Sequence, residues 1–149
     1  MNMTLIRQFQ VKKLESIQGG MFHFYTPQSS HETMLVEIPP QSIDDLFVHH
    51  FQTDQLLVVK GSFLLVVLQN RQYHYIHLTE QNHQVVIIPP GIPHSAINLS
   101  DDSCLLVNAV LRHGETHPKD YQPVKKPFEY DLQKARSFFT ESPLLSMIG

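Results

Sequence analysis

The chain has 149 residues, a length typical of one domain and sufficient to bury a sizeable core. Its net charge of −3, with no dense cluster of lysine or arginine, argues against a nucleic-acid partner. No apolar run is long enough to span a membrane, and no basic segment precedes a long apolar one near the N-terminus. We therefore expect a soluble cytoplasmic protein, in which the single cysteine, Cys104, is a core residue.

The middle of the chain consists of short apolar runs rich in β-branched and aromatic residues, separated by turn signals about 8–12 residues apart. The runs cover residues 34–38, 46–50, 55–59, 62–68, 73–78, 84–88, 94–99 and 104–111. This pattern predicts an all-β jelly roll or barrel. Several runs are apolar on both faces, so we expect one face to fill the barrel and the other to pack on a second sheet or subunit. A homodimer follows as a hypothesis.

The two ends of the chain differ in character from this middle part. Residues 1–33 have a less clear secondary-structure pattern, although Gly19 and Gly20 mark a turn. After Gly114, prolines predict an extended surface segment, and Asp131 is placed to cap a short helix over residues 132–139 that docks on the barrel. We therefore expect one domain over residues 1–149. Its core spans about 34–114, and 115–149 form a C-terminal extension with the short helix.

The clearest functional signal is the stretch P-P-G-I-P-H-S-A-I-N at residues 89–98, directly after an apolar run. Proline fixes φ and glycine accepts a positive φ, so Gly91 bends the chain sharply and His94 begins the next strand. A histidine held in this way can serve as a metal ligand, an acid or base, or a hydrogen-bond partner. Asn98 lies on the same face of that strand, because side chains alternate along a strand.

Two further histidines, His49 and His50, precede a neighbouring predicted strand. Strand alternation puts His50 on one face with Asp54 and His49 on the other with Gln55, so His94 could meet either pair. Only the first pair supplies a carboxylate. His50, Asp54 and His94 then form a candidate set for a Zn, Ni, Fe or Mn ion, with His49 as a substitute ligand if a bulge intervenes. The alternative is a polar cavity without metal.

The turn and its histidine resemble a motif of the cupin superfamily of small β-barrels. The second cupin motif, P-x-G-x-x-H-x-x-x-N, is matched by Pro89, Gly91, His94 and Asn98. The resemblance implies a cupin jelly-roll domain with a pocket that His94 lines.

The first cupin motif is met in part. Its second histidine, carboxylate and glycine correspond to His50, Asp54 and Gly61, whereas Val48 stands at the first histidine position and aspartate replaces glutamate. The resemblance therefore leaves open whether the chain binds a divalent metal.

Within the superfamily, residues 44–120 resemble enzymes that act on nucleotide-linked 4-keto-6-deoxy sugars. H-F-Q at residues 50–52 is similar to the segment around the catalytic histidine of the 3,5-epimerases, and residues 55–62 and 99–107 resemble the sugar 3,4-ketoisomerases. The resemblance implies a carbohydrate-like small-molecule ligand. It implies His50 and His94 as catalytic residues. We expect the following residues to bind the ligand: Gln52, Asn98, Arg112 and His113. His113 follows the last predicted strand near the rim of the barrel, where the alternative is a solvated loop histidine.

The sequence also departs from that pattern. Phe47 and Val48 occupy the place of an Arg-Gly pair that helps the epimerases hold nucleotide phosphates, and Asp54 replaces a lysine. A dianionic nucleotide sugar would then lack its usual cation clamp, although Arg112 or Arg71 could supply part of one.

Three functions remain open from the sequence. The first is proton transfer next to a sugar carbonyl, with His50 as base, in the manner of an epimerase or ketoisomerase. The second is metal-dependent chemistry on a small molecule, with His50, Asp54 and His94 as ligands. The third is non-catalytic binding of a carbohydrate or metabolite in an apolar cavity. One fold hosts many activities, so the resemblance alone does not separate them.

Overall fold

A computed structural model describes residues 8–140 as a mostly β structure. The elements are β1 Gln10–Lys13, β2 Ser16–Gly19, β3 Phe22–Tyr25, β4 Glu32–Ile38, β5 Ser42–Ile43, β6 Gln52–Lys60, β7 Ser62–Gln69, β8 Gln72–Thr79, β9 Gln84–Ile88, β10 His94–Asn98, β11 Cys104–Arg112, a 3-10 helix Pro118–Tyr121 and helix α1 Leu132–Ser137. The predicted all-β class is thereby confirmed. No described helix is long and apolar enough to cross a membrane.

The strands form two principal antiparallel sheets. The five-stranded sheet has the order β1-β9-β6-β11-β4 and the four-stranded sheet the order β5-β10-β7-β8, while β2 and β3 form a separate hairpin. Over residues 8–140 the two sheets pack face to face without closing into one continuous barrel.

Most predicted runs are strands, and one is not. Residues 46–50 were expected to form a strand, but only Leu46 and Phe47 make isolated bridges, to Val124 and His94. The segment has partners on both sides, at the C-terminal extension and at β10, so it runs between them as a loop. The strand prediction was wrong there, and this loop carries His49 and His50.

The main core lies between the two sheets. It contains inward-facing residues of β6, β7, β9 and β11, and the Cys104 side chain is fully buried in it, as predicted. Burial raises the pKa of the Cys104 thiol to about 11, with the negative charge of Glu80 adding to the effect.

A second core covers the outer face of the four-stranded sheet. Leu64 and Val66 of β7 point away from the first core and are fully buried under the C-terminal extension, where Tyr130 and Ala135 pack. The Asp131 side chain caps α1 by accepting a hydrogen bond from the Lys134 backbone N–H at 3.0 Å. The predicted docking of this helix is confirmed. The apolar outer face of β7 is therefore covered by the chain itself.

Candidate active site

A loop brings His49 close to His94. Phe47 and His94 exchange backbone hydrogen bonds of 2.9 and 3.0 Å, and the Gly91 N–H donates to the His49 carbonyl at 2.8 Å. Gly91 has the positive φ, +84°, that the turn motif predicted. The Pro-Gly turn therefore fixes the loop as well as the start of β10, and the two imidazole rings lie 5.1 Å apart between centroids.

Asp54 is the centre of the site. Its side chain is only 2% exposed. Its Oδ2 lies 2.8 Å from His49 Nδ1 and 3.3 Å from His94 Nε2. Its Oδ1 accepts hydrogen bonds from the side-chain amides of Gln52, at 2.6 Å, and Asn108, at 2.9 Å. The carboxylate is thus surrounded by donors, which is the condition under which a buried charge is tolerated.

The pKa shifts of the pair follow from this geometry. Burial alone would raise the pKa of Asp54, but the hydrogen bonds and the positive charges of His49 and His94 together outweigh burial and hold that pKa well below its ordinary value. Burial alone would lower the pKa of His49, but the hydrogen bond and the charge of Asp54 give a net increase. Asp54 is therefore an anion at neutral pH.

The ring of His94 is oriented by a backbone carbonyl. His94 Nδ1 lies 3.0 Å from the Ile92 oxygen, and a carbonyl only accepts, so Nδ1 carries a hydrogen. Its Nε2 faces Asp54. His49 has the opposite arrangement, because its Nδ1 faces Asp54 and its Nε2 is left for a ligand.

These side chains line a cavity of about 560 Å³ that opens between the two sheets. Apolar residues from both sheets form much of its wall, among them Val36, Leu56, Phe63 and Leu106. A concave, mostly apolar space with a few convergent polar groups is the usual form of a small-molecule site.

His50 does not share the cavity cluster. Its side chain is 41% exposed, its Nδ1 hydrogen-bonds Asp120 Oδ1, and its ring lies 4.8 Å from that of His117. The expected pairing of His50 with Asp54 was wrong, and His49 takes that place. Strand alternation was counted from residue 50, but β6 begins only at Gln52.

Two of the predicted ligand-binding residues lie at the site. Gln52 and Arg112 both line the cavity. The Gln52 amide donates to Asp54 and its oxygen accepts from Arg112 Nη1 at 2.5 Å, while Arg112 Nη2 donates to Glu32 at 2.8 Å. Gln52 therefore connects the buried carboxylate with the guanidinium.

The other two lie elsewhere. Asn98 is fully buried and donates to the carbonyls of Ile38, Pro39 and Asp102, so it holds two loops together at the end of β10. His113 Nε2 lies 2.8 Å from the Thr53 hydroxyl. Within the part of the chain that the structure describes, neither residue lines the cavity.

Several cavity residues were not selected from the sequence, and three of them are polar groups close to the histidines. Asn108 is an isolated polar residue at an inward-facing position of β11, where its neighbours Leu106 and Val110 are buried, so alternation could have found it. Asp120 and Tyr121 lie on the 3-10 helix, which the sequence did not predict.

Two groups of side chains have the spacing of metal ligands. In each of them the nitrogen and oxygen atoms lie within 4.8 Å of one another; the groups are His49, Asp54, His94 and His50, His117, Asp120. In the first, Nδ1 of His94 is bonded to a carbonyl, so Nε2, which faces Asp54, is the nitrogen that would bind an ion in place of that contact.

The two packed antiparallel sheets, with a pocket that opens between them, have the architecture of the cupin fold. The family model described as FdtA, WxcM-like, C-terminal, matches residues 34–128, more than half of the chain. The chain belongs to this family. No curated protein sequence matches it significantly.

Solved structures of low sequence identity share the fold. A dTDP sugar isomerase from Desulfovibrio desulfuricans G20 is 20% identical, with 81% of this chain and 89% of that chain covered, at a TM-score of 0.60. QdtA, a sugar 3,4-ketoisomerase from Thermoanaerobacterium thermosaccharolyticum in complex with TDP, is 14% identical, with 91% and 100% covered, at 0.61. A dTDP-4-dehydrorhamnose 3,5-epimerase from Elizabethkingia anophelis NUHP1 is 12% identical, with 75% and 73% covered, at 0.61.

Proposed function

We propose that the protein is an isomerase or epimerase-like enzyme that acts on a keto-sugar nucleotide or a related carbohydrate by proton transfer at a pocket histidine. The observation that carries the proposal is the contact of His49 with Asp54 at the wall of the cavity, 2.8 Å between Nδ1 and Oδ2. We assign the base to His49 rather than to His50, because His50 is directed to Asp120.

The chemistry follows from the tautomer of His49. When Nδ1–H donates to Asp54, the lone pair is on Nε2, and this nitrogen can take a proton from a carbon next to a carbonyl. The anion of Asp54 stabilises the imidazolium that forms, which is how a buried carboxylate supports a histidine base. The carbonyl oxygen gains a proton from a hydroxyl donor as the enediol forms; the imidazolium then returns its proton to the neighbouring carbon while the other enediol hydroxyl gives its proton back to that donor, which would move the carbonyl along the sugar.

The developing enolate oxygen needs a donor. Tyr121 lines the same cavity and is 76% exposed, so its hydroxyl is accessible to a ligand. We propose Tyr121 as the donor and His94 as the second imidazole that holds Asp54 in place. The family match and the sugar isomerases and epimerases among the structural relatives support this class of reaction.

The test is deuterium uptake from heavy water. Wild-type protein is incubated with dTDP-4-keto-6-deoxyglucose and, separately, with a free 6-deoxy keto sugar, and exchange of the carbon-bound hydrogens is followed by NMR. We expect uptake with wild type and with His23→Asn, an exposed histidine on β3, and loss with His49→Asn. Absence of uptake from every sugar tested would overturn the proposal.

A metal-dependent reaction is the second candidate, and the spacing of His49, Asp54 and His94 supports it. These three side chains would hold the ion, which would act as a Lewis acid on a substrate oxygen. Elemental analysis after purification without chelator distinguishes the two. About one ion per chain in wild type, absent from His94→Ala, would support the metal-dependent reaction. Only a trace of metal in wild type would exclude it.

Homodimerisation stays a prediction. The β2–β3 hairpin exposes large apolar side chains, including Ile17, Phe22 and Phe24, and an isolated two-stranded hairpin is marginal in water. We propose a second copy of the chain as its partner. Sedimentation at micromolar concentration should give a dimer that Phe22→Ser with Phe24→Ser weakens, and a wild-type monomer would contradict it.

A further inference from the structure

We infer that Gln52 is a positioning residue of the site, whose side chain orients the Asp54 carboxylate and, through it, the His49 imidazole. The inference rests on the proposed function for the identity of the base. Gln52 then acts through Asp54 and does not bind the ligand, which is the role expected from the sequence.

The two ends of the Gln52 amide bond to groups of opposite kind. Its Nε2 donates to Asp54 Oδ1 at 2.6 Å, and its Oε1 accepts from Arg112 Nη1 at 2.5 Å. An ionised carboxylate only accepts and a guanidinium only donates, so the amide between them has one possible orientation. Of the unbranched side chains of this length, only glutamine presents a donor and an acceptor side by side at neutral pH. The position therefore requires glutamine.

The Asp54 carboxylate needs to be oriented because its two oxygens face different partners. Oδ2 lies 2.8 Å from His49 Nδ1, whereas Oδ1 accepts from the side-chain amides of Gln52 and Asn108. Rotation of the carboxylate would move Oδ2 away from the imidazole. The donors on Oδ1 oppose that rotation, so they keep the hydrogen of His49 on Nδ1 and the lone pair on Nε2.

The two donors on Oδ1 are anchored in different ways. The Asn108 oxygen accepts from the backbone N–H of Gln55 at 2.9 Å, so Asn108 is held by the neighbouring strand. Gln52 is held by Arg112, whose side chain is 28% exposed and lines the cavity. Asn108 is therefore a fixed donor, whereas Gln52 depends on a side chain that a ligand can reach. Gln52 links this guanidinium to the base.

The same strand offers a matched control in Gln55. Gln52 and Gln55 are buried to the same degree, 7% and 6% exposed. The Gln55 amide donates to the carbonyls of Ser29 and Ala109, and in the part of the chain that the structure describes it does not line the cavity. Replacing either glutamine with methionine keeps an unbranched side chain of similar length and removes its hydrogen bonds. Only the change at Gln52 removes a bond to Asp54.

The first measurement is the tautomer of His49, read from the nitrogen chemical shifts of chelator-treated protein labelled with nitrogen-15 histidine, at a pH where the ring is neutral. The His49 signals are identified by their loss in His49→Asn. We expect the hydrogen on Nδ1 in wild type and in Gln55→Met, and a mixture of both tautomers in Gln52→Met. A single Nδ1–H tautomer in Gln52→Met, or the same mixture in wild type or in Gln55→Met, would overturn the inference.

The second measurement is the rate of deuterium exchange against the concentration of the sugar that wild type exchanges. We expect kcat to fall about 10-fold or more in Gln52→Met, the loss that a hydrogen bond to a charged group represents, with KM within a few-fold of wild type. Gln55→Met should keep both values within a few-fold. A raised KM with unchanged kcat would make Gln52 a ligand-binding residue, and equal losses in the two variants would make its role structural. Either result would overturn the inference.

Two further points keep the outcome decisive. If Gln52→Met does not fold, Gln52→Asn takes its place under the same criteria, because the shorter amide stays polar but does not span from Arg112 to Asp54. If wild type exchanges no sugar, the proposed function fails, and the tautomer of His49 still decides whether Gln52 orients the site.

Discussion

Within residues 8–140 the neighbouring histidines His49 and His50 each contact a buried aspartate, and the two contacts differ in their surroundings. The carboxylates of the inner pair, His49 with Asp54, and of the rim pair, His50 with Asp120, are 2% and 3% exposed, whereas the histidines are 26% and 41% exposed. Four side chains surround Asp54, but among the described residues only His50 bonds to the carboxylate of Asp120. The number of donors and the exposure of the histidine therefore separate a candidate catalytic pair from a structural contact.

The two contacts differ because adjacent residues of one loop point their side chains to different sides. His49 and His50 are neighbours in a loop that is fixed at Phe47 by β10, so their side chains leave in different directions. The 3-10 helix after β11 brings Asp120 to the outer one. The predictions below test how far the two pairs differ.

The largest effect is expected when the inner carboxylate is removed. Asp54→Ala leaves His49, Gln52 and Asn108 without their shared partner, and breaking such a buried arrangement costs about 3–5 kcal/mol. Urea denaturation followed by circular dichroism measures the free energy of unfolding. Asp101→Ala, at an exposed loop position, serves as control. If the free energy of unfolding falls no more in Asp54→Ala than in the control, the Asp54 carboxylate does not stabilise the fold in this way.

Next in size is the effect on catalysis of replacing each of the two neighbouring histidines with asparagine. Under the proposed function, His49→Asn should slow deuterium exchange by about 100-fold or more, since a positioned base contributes about that much. His50→Asn should stay within a few-fold of wild type because its ring faces Asp120. The reverse ranking would restore His50 as the base.

The contribution of the inner pair to stability should depend on pH in chelator-treated protein. The pKa of Asp54 is lowered from 3.8, so its contribution is present above that value and is lost as the pH falls through the folded-state pKa. The pKa of His49 is raised from 6.5, so its contribution is present below that value and is lost as the pH rises through the folded-state pKa. We expect the stability difference between wild type and His49→Asn to be largest between pH 4 and 6.5. A difference independent of pH would show that the pair is not linked in this way.

The smallest effect is expected at the rim. Asp120→Ala removes the two hydrogen bonds that this buried carboxylate accepts from His50, and because His50 itself is 41% exposed and can bond to water, we expect a loss of about 1–3 kcal/mol, less than for Asp54→Ala. Denaturation under the same conditions as for Asp54→Ala gives a direct comparison. A loss as large as that of Asp54→Ala would show that the rim pair also holds the fold.

The sequence was informative where the signal was local. The turn at Gly91 and the strand that His94 begins follow from the properties of proline and glycine, and β9 has the bounds that its apolar run predicted. The all-β class follows from the strand composition and the spacing of turns.

The parts that were missed depend on long-range contacts. The loop at residues 46–50 is apolar enough to be read as a strand, but bridges to Val124 and His94 fix it as a connection. That error reversed the roles of His49 and His50. The rim pair joins residues 70 positions apart, His50 and Asp120, and no spacing rule reveals such a contact.

The buried thiol offers a practical route to these measurements. The chain has no tryptophan and a single cysteine, so the usual fluorescence signal of unfolding is missing and any thiol signal comes from one position. Cys104 is fully buried beside the strands that carry the site, and its pKa of about 11 keeps it protonated and unreactive while the core is closed. A thiol reagent would therefore record how often the sheets separate under native conditions, long before denaturant unfolds the chain.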